Sequence, residues 1–353
     1  MMGREHIKNI KMLEGTEIAA IFEPDAEMQA RAAALAPEAK FENSFEDLLN
    51  RKDLDCLVIV TPNFTHAEQL RQIAQTNPLP LLVEKPLVTN TDDFAFIEEM
   101  QESYPAPVWV AMEYRYMPPV AELIRHAPLT TDGIKMLTIR EHRFPFLQKV
   151  GNWNRFNAKS GGTLVEKCCH FFDLMRLLLN SEPVRVMASA GQTFNHLDET
   201  YDGVQSDIWD NGYVIVDFAS GARAMLELCM FAEGSQFQEE ISAVGQKGKI
   251  ETFVPGPGRF WPADLGEPPT AKLVLSPRDP KRPETRPIPV DPLLLEIGDH
   301  NGSTYYQHQK FQQVLLNNGN PEVTLHDGLM AVKMGMAAQK SALSGQAVAM
   351  AEL

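Results

Sequence analysis

A lysine at the end of a buried strand is the first place in this sequence where chemistry can be read. Leu81-Leu82-Val83 is a short apolar run closed by Glu84-Lys85-Pro86. The run reads as a buried strand, and the proline restricts Lys85 toward extended backbone. In an open parallel sheet, ligands bind just outside the carboxyl ends of the strands, so a lysine presented there is placed for chemistry. The competing reading is a surface-loop lysine beside a glutamate. Further on, Glu166 and His170 stand four residues apart, in Gly161-Gly162-Thr163-Leu164-Val165-Glu166-Lys167-Cys168-Cys169-His170-Phe171-Phe172-Asp173. On one helix they share a face. There the imidazole can take or give a proton near neutral pH, and the carboxylate can orient it or pair with Lys85. The competing readings are a surface pair and a metal site, since Glu, Cys and His all ligate zinc. Cys168 and Cys169 cannot both join that helical face, and no metal is expected. The two cysteines read as buried small hydrophobes, and Asp173 as a further polar partner or an ordinary helix residue.

The elements that must position these residues alternate. A helix is expected over 3–14, a strand over 17–22 ending at Glu23-Pro24-Asp25, an alanine-rich helix over 26–36 and a short helix over 45–50. A strand at 57–60 ends at Thr61-Pro62-Asn63. A helix follows at 65–75, capped by Thr65 with Glu68 three residues on. The strand at 81–84, a helix at about 91–102 and a strand at 108–111 complete the series. Strands alternating with helices of this length predict a doubly wound parallel sheet.

Such sheets often bind dinucleotides through G-x-G-x-x-G between first strand and first helix, with an acidic residue about 20 positions on. Gly3 can be the last of those glycines and Glu23 the acidic residue, accepting hydrogen bonds from the adenosine ribose; otherwise Glu23 is a turn residue before proline. A first strand and two glycines should precede Gly3, and their absence leads us to expect that the sequence starts downstream of them.

Bulk properties narrow the class. The 353 residues suggest two domains, and 44% hydrophobic with 22% charged residues is ordinary for a globular core. A net charge of −15 argues against nucleic-acid and anionic-membrane partners. The four cysteines form no spaced framework, which suggests a reducing compartment. There is no signal-peptide core or membrane-length apolar run, so a cytoplasmic protein is expected.

After Pro118-Pro119 the pattern changes. A helix at about 118–126 leads to a strand at 134–141, then to an aromatic and polar loop with Phe144, Phe146, Trp153, Asn154 and Arg155. Such a loop suits sugar recognition, or else covers a small satellite core. One helix over about 161–180 carries the Glu166–His170 pair. Strands at 184–190, 207–218, 222–231, 238–245 and 248–254, with short connections, predict a largely antiparallel sheet. An uncovered sheet face predicts a homodimer or homotetramer. Residues 255–292 hold 11 of the 25 prolines and read as an irregular excursion with one strand, 272–275, able to close over the cleft or wrap a neighbour. A helix from His300-Asn301-Gly302-Ser303-Thr304 to about Leu316 is expected to be capped by Ser303 or Thr304, with Tyr305 and His308 as candidate substrate contacts. The Met- and Ala-rich helix at about 326–343 reads as packing.

Met2-Gly3-Arg4-Glu5-His6, Thr61-Pro62-Asn63-Phe64-Thr65-His66, Glu84-Lys85-Pro86 and the 161–173 motif occur in that order. With them the chain resembles the glucose–fructose oxidoreductase / inositol dehydrogenase (Gfo/Idh/MocA) family from residue 1 to about 180. The resemblance implies an α/β protein: a Rossmann domain over 1–115, here without its first strand, and a substrate-binding and oligomerisation domain over 116–353 built on a large, mostly antiparallel open sheet. It implies nicotinamide-dependent oxidation or reduction of a sugar, inositol or related polyol. It implies a catalytic set of Lys85, Glu166 and His170, with Glu166 where the family most often has aspartate. The cofactor contacts it suggests are Gly3, Glu23, Thr61, Pro62, Asn63, His66, Glu84 and Lys85. Arg115 is expected to face the substrate cleft or to pair with Glu113 or Glu122, and Trp153, Asn154 and Tyr305 are further substrate candidates. Oxidising a carbinol sends a hydride to the nicotinamide and a proton to a base; His170 can take that proton, while Lys85, its pKa lowered by the cationic ring, holds the oxygen. A carboxylate at Glu23 favours NAD over NADP. The competing functions are a non-catalytic nucleotide or sugar sensor of the same fold and a metal-dependent lyase or hydrolase.

Overall fold

The computed structural model describes residues 2–353. In the first half, β1 (Ala20–Ile21) pairs in parallel with β2 (Lys40–Phe41). A second parallel group contains β3 (Leu57–Ile59), β4 (Leu81–Val83) and β5 (Val108–Val110), in that spatial order. Every residue of β4 and β5 is buried, as expected for strands covered on both faces. Leu70 and Ile73 of the helix His66–Thr76, with Phe94, Ile97 and Met100 of the helix Phe94–Ser103, supply much of that cover. The first helix, Met2–Ile10, begins before Gly3, and β1 and β3 share no ladder. No strand precedes that helix among the described residues.

The second half follows the helix Pro118–Thr131, which runs past the expected end and stops at Asp132, a residue in the left-handed region with φ 56°. Its main feature is a nine-stranded sheet. The strands are β6 (Ile134–His142), β7 (Pro183–Gly191), β10 (Asn211–Phe218), β11 (Arg223–Cys229), β12 (Glu239–Gly245), β13 (Gly248–Val254), β14 (Lys272–Pro277), β15 (Glu284–Pro287) and β16 (Val348–Ala349). The order is β15-β14-β13-β12-β6-β11-β10-β7-β16. A separate small hairpin joins β8 (Thr200–Tyr201) to β9 (Val204–Gln205). All neighbours in the large sheet are antiparallel except β6 and β11.

Side chains alternate across this sheet. Leu137, Ile139 and Glu141 of β6 and Glu239, Ile241 and Ala243 of β12 face inward, toward the helices Pro118–Thr131 and Cys169–Leu179. Met136, Tyr213, Ile215 and Val244 are exposed on the other face. The proline-rich stretch departs from the expected excursion. Its residues form β14 and β15, which extend the sheet edge, and a short helix Pro292–Ile297 follows.

Candidate active site

The carboxyl ends of β3 and β4 meet the motif around residues 161–173. The expected single helix over 161–180 is in fact three pieces: Asn157–Ser160, Thr163–Glu166 and Cys169–Leu179. Gly161 and Gly162 carry φ of 85° and 84°, a region closed to most side chains, and separate the first two. The second break frees the main-chain carbonyl of Glu166, which accepts from Lys85 Nζ at 3.0 Å and from Cys169 Sγ at 3.5 Å. Lys85 therefore reaches the motif through backbone. The Glu166 carboxylate turns away, to Lys149 Nζ at 3.1 Å, and its Oε2 is buried without a hydrogen-bond partner.

His170 is buried, and its Nδ1 makes no hydrogen bond among the described residues. Burial, then the charges of Lys85, Lys167, His300 and Arg143, hold its pKa well below the usual histidine range. The imidazole is thereby held in its neutral form. The pKa of Lys85 is set by the protein's own groups. Burial pulls its pKa down, but Cys169, Glu166, Glu84 and Glu113 outweigh that, and the protein's own charges leave it raised. It is a firm cation. Burial pushes the Cys169 thiol up to about 12 and holds Cys168 well above the ordinary thiol value, so neither thiol offers a nucleophile or a ready metal ligand. Among the described residues no cluster has the makings of a metal site.

Two buried relays flank this centre. His6 Nδ1 lies 2.7 Å from His308 Nε2, and His6 Nε2 lies 2.8 Å from Glu84 Oε1. Burial lowers the His6 pKa, but the Glu84 hydrogen bond and charge overcome it and raise it. His308 is depressed by burial and by His6. These opposite directions favour His6 as the donor to both partners. The second relay runs from Glu5 to His300 Nδ1 at 2.9 Å, with Thr304 Oγ1 between Glu5 at 3.0 Å and Glu113 at 2.5 Å. Both tie the first helix to the end of β4 or to the helix Ser303–Asn317.

The expected cofactor residues divide into two groups. Glu23 lies two residues past β1; one oxygen caps the Asp25 amide at 2.9 Å. Asn63 is buried and its Nδ2 donates to Ser160 O at 3.1 Å, while Thr61 and Pro62 form the turn before it. These residues, with Glu84 and Lys85, follow the carboxyl ends of β1, β3 and β4. His66 does not belong with them: its Nδ1 and Nε2 are bound to Pro86 O at 2.9 Å and Thr61 O at 3.2 Å, and it is fully buried. It joins the two loops. At Gly3 a Cβ would meet nothing within 4 Å, so the close approach that demands a third glycine is missing there.

The substrate candidates are corrected more heavily. Arg115 forks onto Asp173, with Nε at 2.5 Å from Oδ2 and Nη2 on Oδ1, and donates to Glu322 O at 3.1 Å. It is a buried structural pair, with neither Glu113 nor Glu122 as partner. Tyr305 leaves the buried face of its helix, which presents Thr304, Gln307 and His308 instead. That helix is capped by Gly302 at φ 78°, so neither Ser303 nor Thr304 caps it, and Thr65 likewise makes no cap bond to its helix. Trp153 is buried beneath the Lys149 ammonium, 4.4 Å from the ring centre, and edges onto Phe64 at 6.5 Å. Asn154 donates to Leu147 O at 2.9 Å and keeps Oδ1 unpartnered. The residues the sequence reading missed are His6, Tyr114, Lys149, Lys167, Glu141, Glu239 and His300.

Comparison with known proteins agrees with this arrangement. The uncharacterized oxidoreductase YrbE of Bacillus subtilis (strain 168) is 21% identical over 353 residues, covering 98% of this chain and 93% of its own. Inositol 2-dehydrogenase of Corynebacterium glutamicum (strain R) is 26% identical over 262 residues, 74% of this chain and 73% of its own. The structure of levoglucosan dehydrogenase in complex with NADH and levoglucosan superposes with TM-score 0.79 at 17% identity, over 99% of this chain and 96% of that one. The oxidoreductase domain protein from Kribbella flavida gives 0.81 at 18%, over 99% and 96%. At such identities the structures share the fold. Residues 1–112 match the NAD-binding Rossmann-fold domain, and residues 132–350 the C-terminal alpha/beta domain, of one oxidoreductase family: the chain belongs to the Gfo/Idh/MocA oxidoreductases.

Proposed function

We propose that this protein transfers a hydride between NAD and a carbinol of a sugar, inositol or related polyol. The observation that carries the reading is the pairing of a firm cation, Lys85, with a buried, neutral His170 whose Nδ1 is free, at the carboxyl ends of the parallel strands. Bound NAD supplies the hydride acceptor. His170 takes the carbinol proton, and Lys85 holds the oxygen as charge builds on it. Glu166 holds Lys85 through its main-chain carbonyl, and its carboxylate pairs with Lys149. Glu23 and the 61–63 turn would hold the adenosine ribose and its neighbours, and Glu23 favours NAD over NADP because a second anion beside it is repelled. Relatives that carry the names inositol 2-dehydrogenase and levoglucosan dehydrogenase support a cyclic polyol or anhydrosugar substrate.

The test is turnover with inositols, levoglucosan and simple aldoses against NAD and NADP, in wild type, Lys85→Met and His170→Asn. The expected result is reduction of NAD with at least one polyol and a loss of ~10²–10⁴-fold in kcat in either variant. Binding without turnover across the whole panel would move the reading to a sensor.

We also propose a homodimer or larger homo-oligomer in the cytoplasm, with the substrate domain starting near residue 116. The exposed Met136, Tyr213, Ile215 and Val244 on one sheet face support the association. Among the described residues no helix is long and apolar enough to cross a membrane.

A further inference from the structure

A histidine that moves protons is usually oriented by a hydrogen bond on the nitrogen turned away from the reaction. His170 lacks one. Its plane is set instead by Tyr114, whose ring lies parallel to the imidazole with centroids 4.0 Å apart and an interplanar angle of 8°. Tyr114 is fixed in turn. Its hydroxyl is 2.5 Å from Lys167 Nζ, that ammonium sits 4.6 Å from the tyrosine ring centre, and the ring edge meets Phe171 at 5.7 Å. Lys167 Nζ pairs with Glu141 at 2.8 Å, and Arg143 reaches the same carboxylate at 3.4 Å. Glu141 stands directly across the β6–β12 ladder from Glu239. All five residues Tyr114, Lys167, Glu141, Glu239 and His170 are at most 4% exposed.

We infer that Tyr114 is a positioning residue for the His170 imidazole, and that the Lys167–Glu141 ion pair anchors it to the sheet. This deepens the reading of His170 as the proton acceptor and rests on it. The stack does two things a hydrogen bond would not. It keeps both ring nitrogens in the imidazole plane available, and it covers one face of the ring so that water cannot approach from that side. The hydroxyl itself is no acid in the reaction. Burial and the Glu141 and Glu239 charges hold Tyr114 well above its ordinary pKa, and the oxygen is already engaged with Lys167. Glu141 Oε2 and Glu239 Oε2 are buried with no hydrogen-bond partner among the described residues. Burial, and then the charge of the facing Glu141, push Glu239 up to about 7.

The test uses the full chain with Tyr114→Phe, Tyr114→Leu, Lys167→Met, Lys167→Arg and His170→Asn. Hydrogen–deuterium exchange at the imidazole C2 of His170, followed by mass spectrometry across pH, reads its pKa without any substrate. In wild type and Tyr114→Phe the imidazole stays neutral well below pH 6.5; in Tyr114→Leu its pKa climbs by at least one unit toward the ordinary value as water reaches the ring. Turnover follows: Tyr114→Phe loses several-fold in kcat, Tyr114→Leu ~100-fold with KM for NAD little changed. Lys167→Met falls between, and Lys167→Arg restores part of the loss. Should Tyr114→Leu not fold, the kcat of Lys167→Met decides, since loss of the Lys167 charge by itself moves the His170 pKa. An unmoved His170 pKa with kcat within threefold of wild type in a folded Tyr114→Leu, or kcat within threefold in Lys167→Met, overturns the inference. If His170→Asn turns over as fast as wild type, the acceptor role itself is wrong. If His170→Asn is inactive while Tyr114→Leu is normal, only the positioning role is wrong.

Discussion

The Lys85 ammonium lies 3.0 Å from the main-chain carbonyl of Glu166, while the Glu166 carboxylate points to Lys149 at 3.1 Å. A substitution at 166 that keeps the backbone therefore keeps the lysine's anchor. We expect Glu166→Gln to cost at most ~10-fold in kcat, against ~10²–10⁴-fold for Lys85→Met. Steady-state kinetics of the two variants side by side check this. Equal losses would mean that the carboxylate acts directly.

Glu23 should govern the choice of nicotinamide cofactor. On the proposed reading its second oxygen, just past β1, sits where a 2′-phosphate would add charge. Glu23→Ser is expected to improve kcat/KM for NADP by ~10-fold or more and to weaken NAD, because like charges in contact cost several kcal/mol. Unchanged cofactor preference would remove Glu23 from the ribose site.

The His300–Glu5 pair makes stability depend on pH at both ends. Burial lowers the His300 pKa, but Glu113 and Glu5 outweigh it and raise it to about 9. Its contribution is fully present below the unfolded value near 6.5 and is lost as pH rises through about 9. Glu5 is held at about 2, His300 and Thr304 overcoming its burial, so its contribution is present above about 4.5 and lost as pH falls through about 2. The two shifts report one interaction, on the order of 3 kcal/mol at most. Denaturant unfolding of wild type should weaken between pH 6.5 and 9.5, and His300→Gln should flatten that limb. A variant that keeps the wild-type slope would place the titration elsewhere.

Gly335 lets the last long helix reach the motif. A Cβ there would meet Leu164 O at 2.5 Å and Val165 Cα at 3.0 Å, both backbone atoms of the turn that carries Glu166. Gly335→Ala should cost about 1–3 kcal/mol and lower kcat by displacing the carbonyl that holds Lys85. Calorimetry with kinetics reads both effects. A wild-type melting temperature would show that the turn yields freely.

The exposed sheet face should hold subunits together. Ile215 faces Met225 across the β10–β11 ladder, and Met136 faces Val244 across β6–β12. Light scattering should find an oligomer for wild type and a smaller species for the Ile215→Lys, Met136→Glu double variant. A monomeric wild type would refute the association.

The alternation of strands and helices, the antiparallel hairpins and the strand ending at Lys85 were legible in the sequence because they follow from local periodicity and from proline and glycine chemistry. The same local rules marked His170 and Lys85. What the sequence by itself could not determine were contacts made across large separations. Arg115 read as a cleft residue or as a partner of Glu113 or Glu122 because Asp173, its actual partner, is 58 residues away. Tyr305 looked like a contact because the buried face of its helix is chosen by packing against the first helix and β5, not by its own pattern. The motif read as one helix because the two glycines' positive φ and the break after Glu166 answer to what packs on them. Tertiary structure alone decided that Lys85 binds a carbonyl rather than a carboxylate, that burial keeps His170 neutral, and that Tyr114 holds its plane. Each of these depends on desolvation and on charges brought together by folding, and neither exists along the chain.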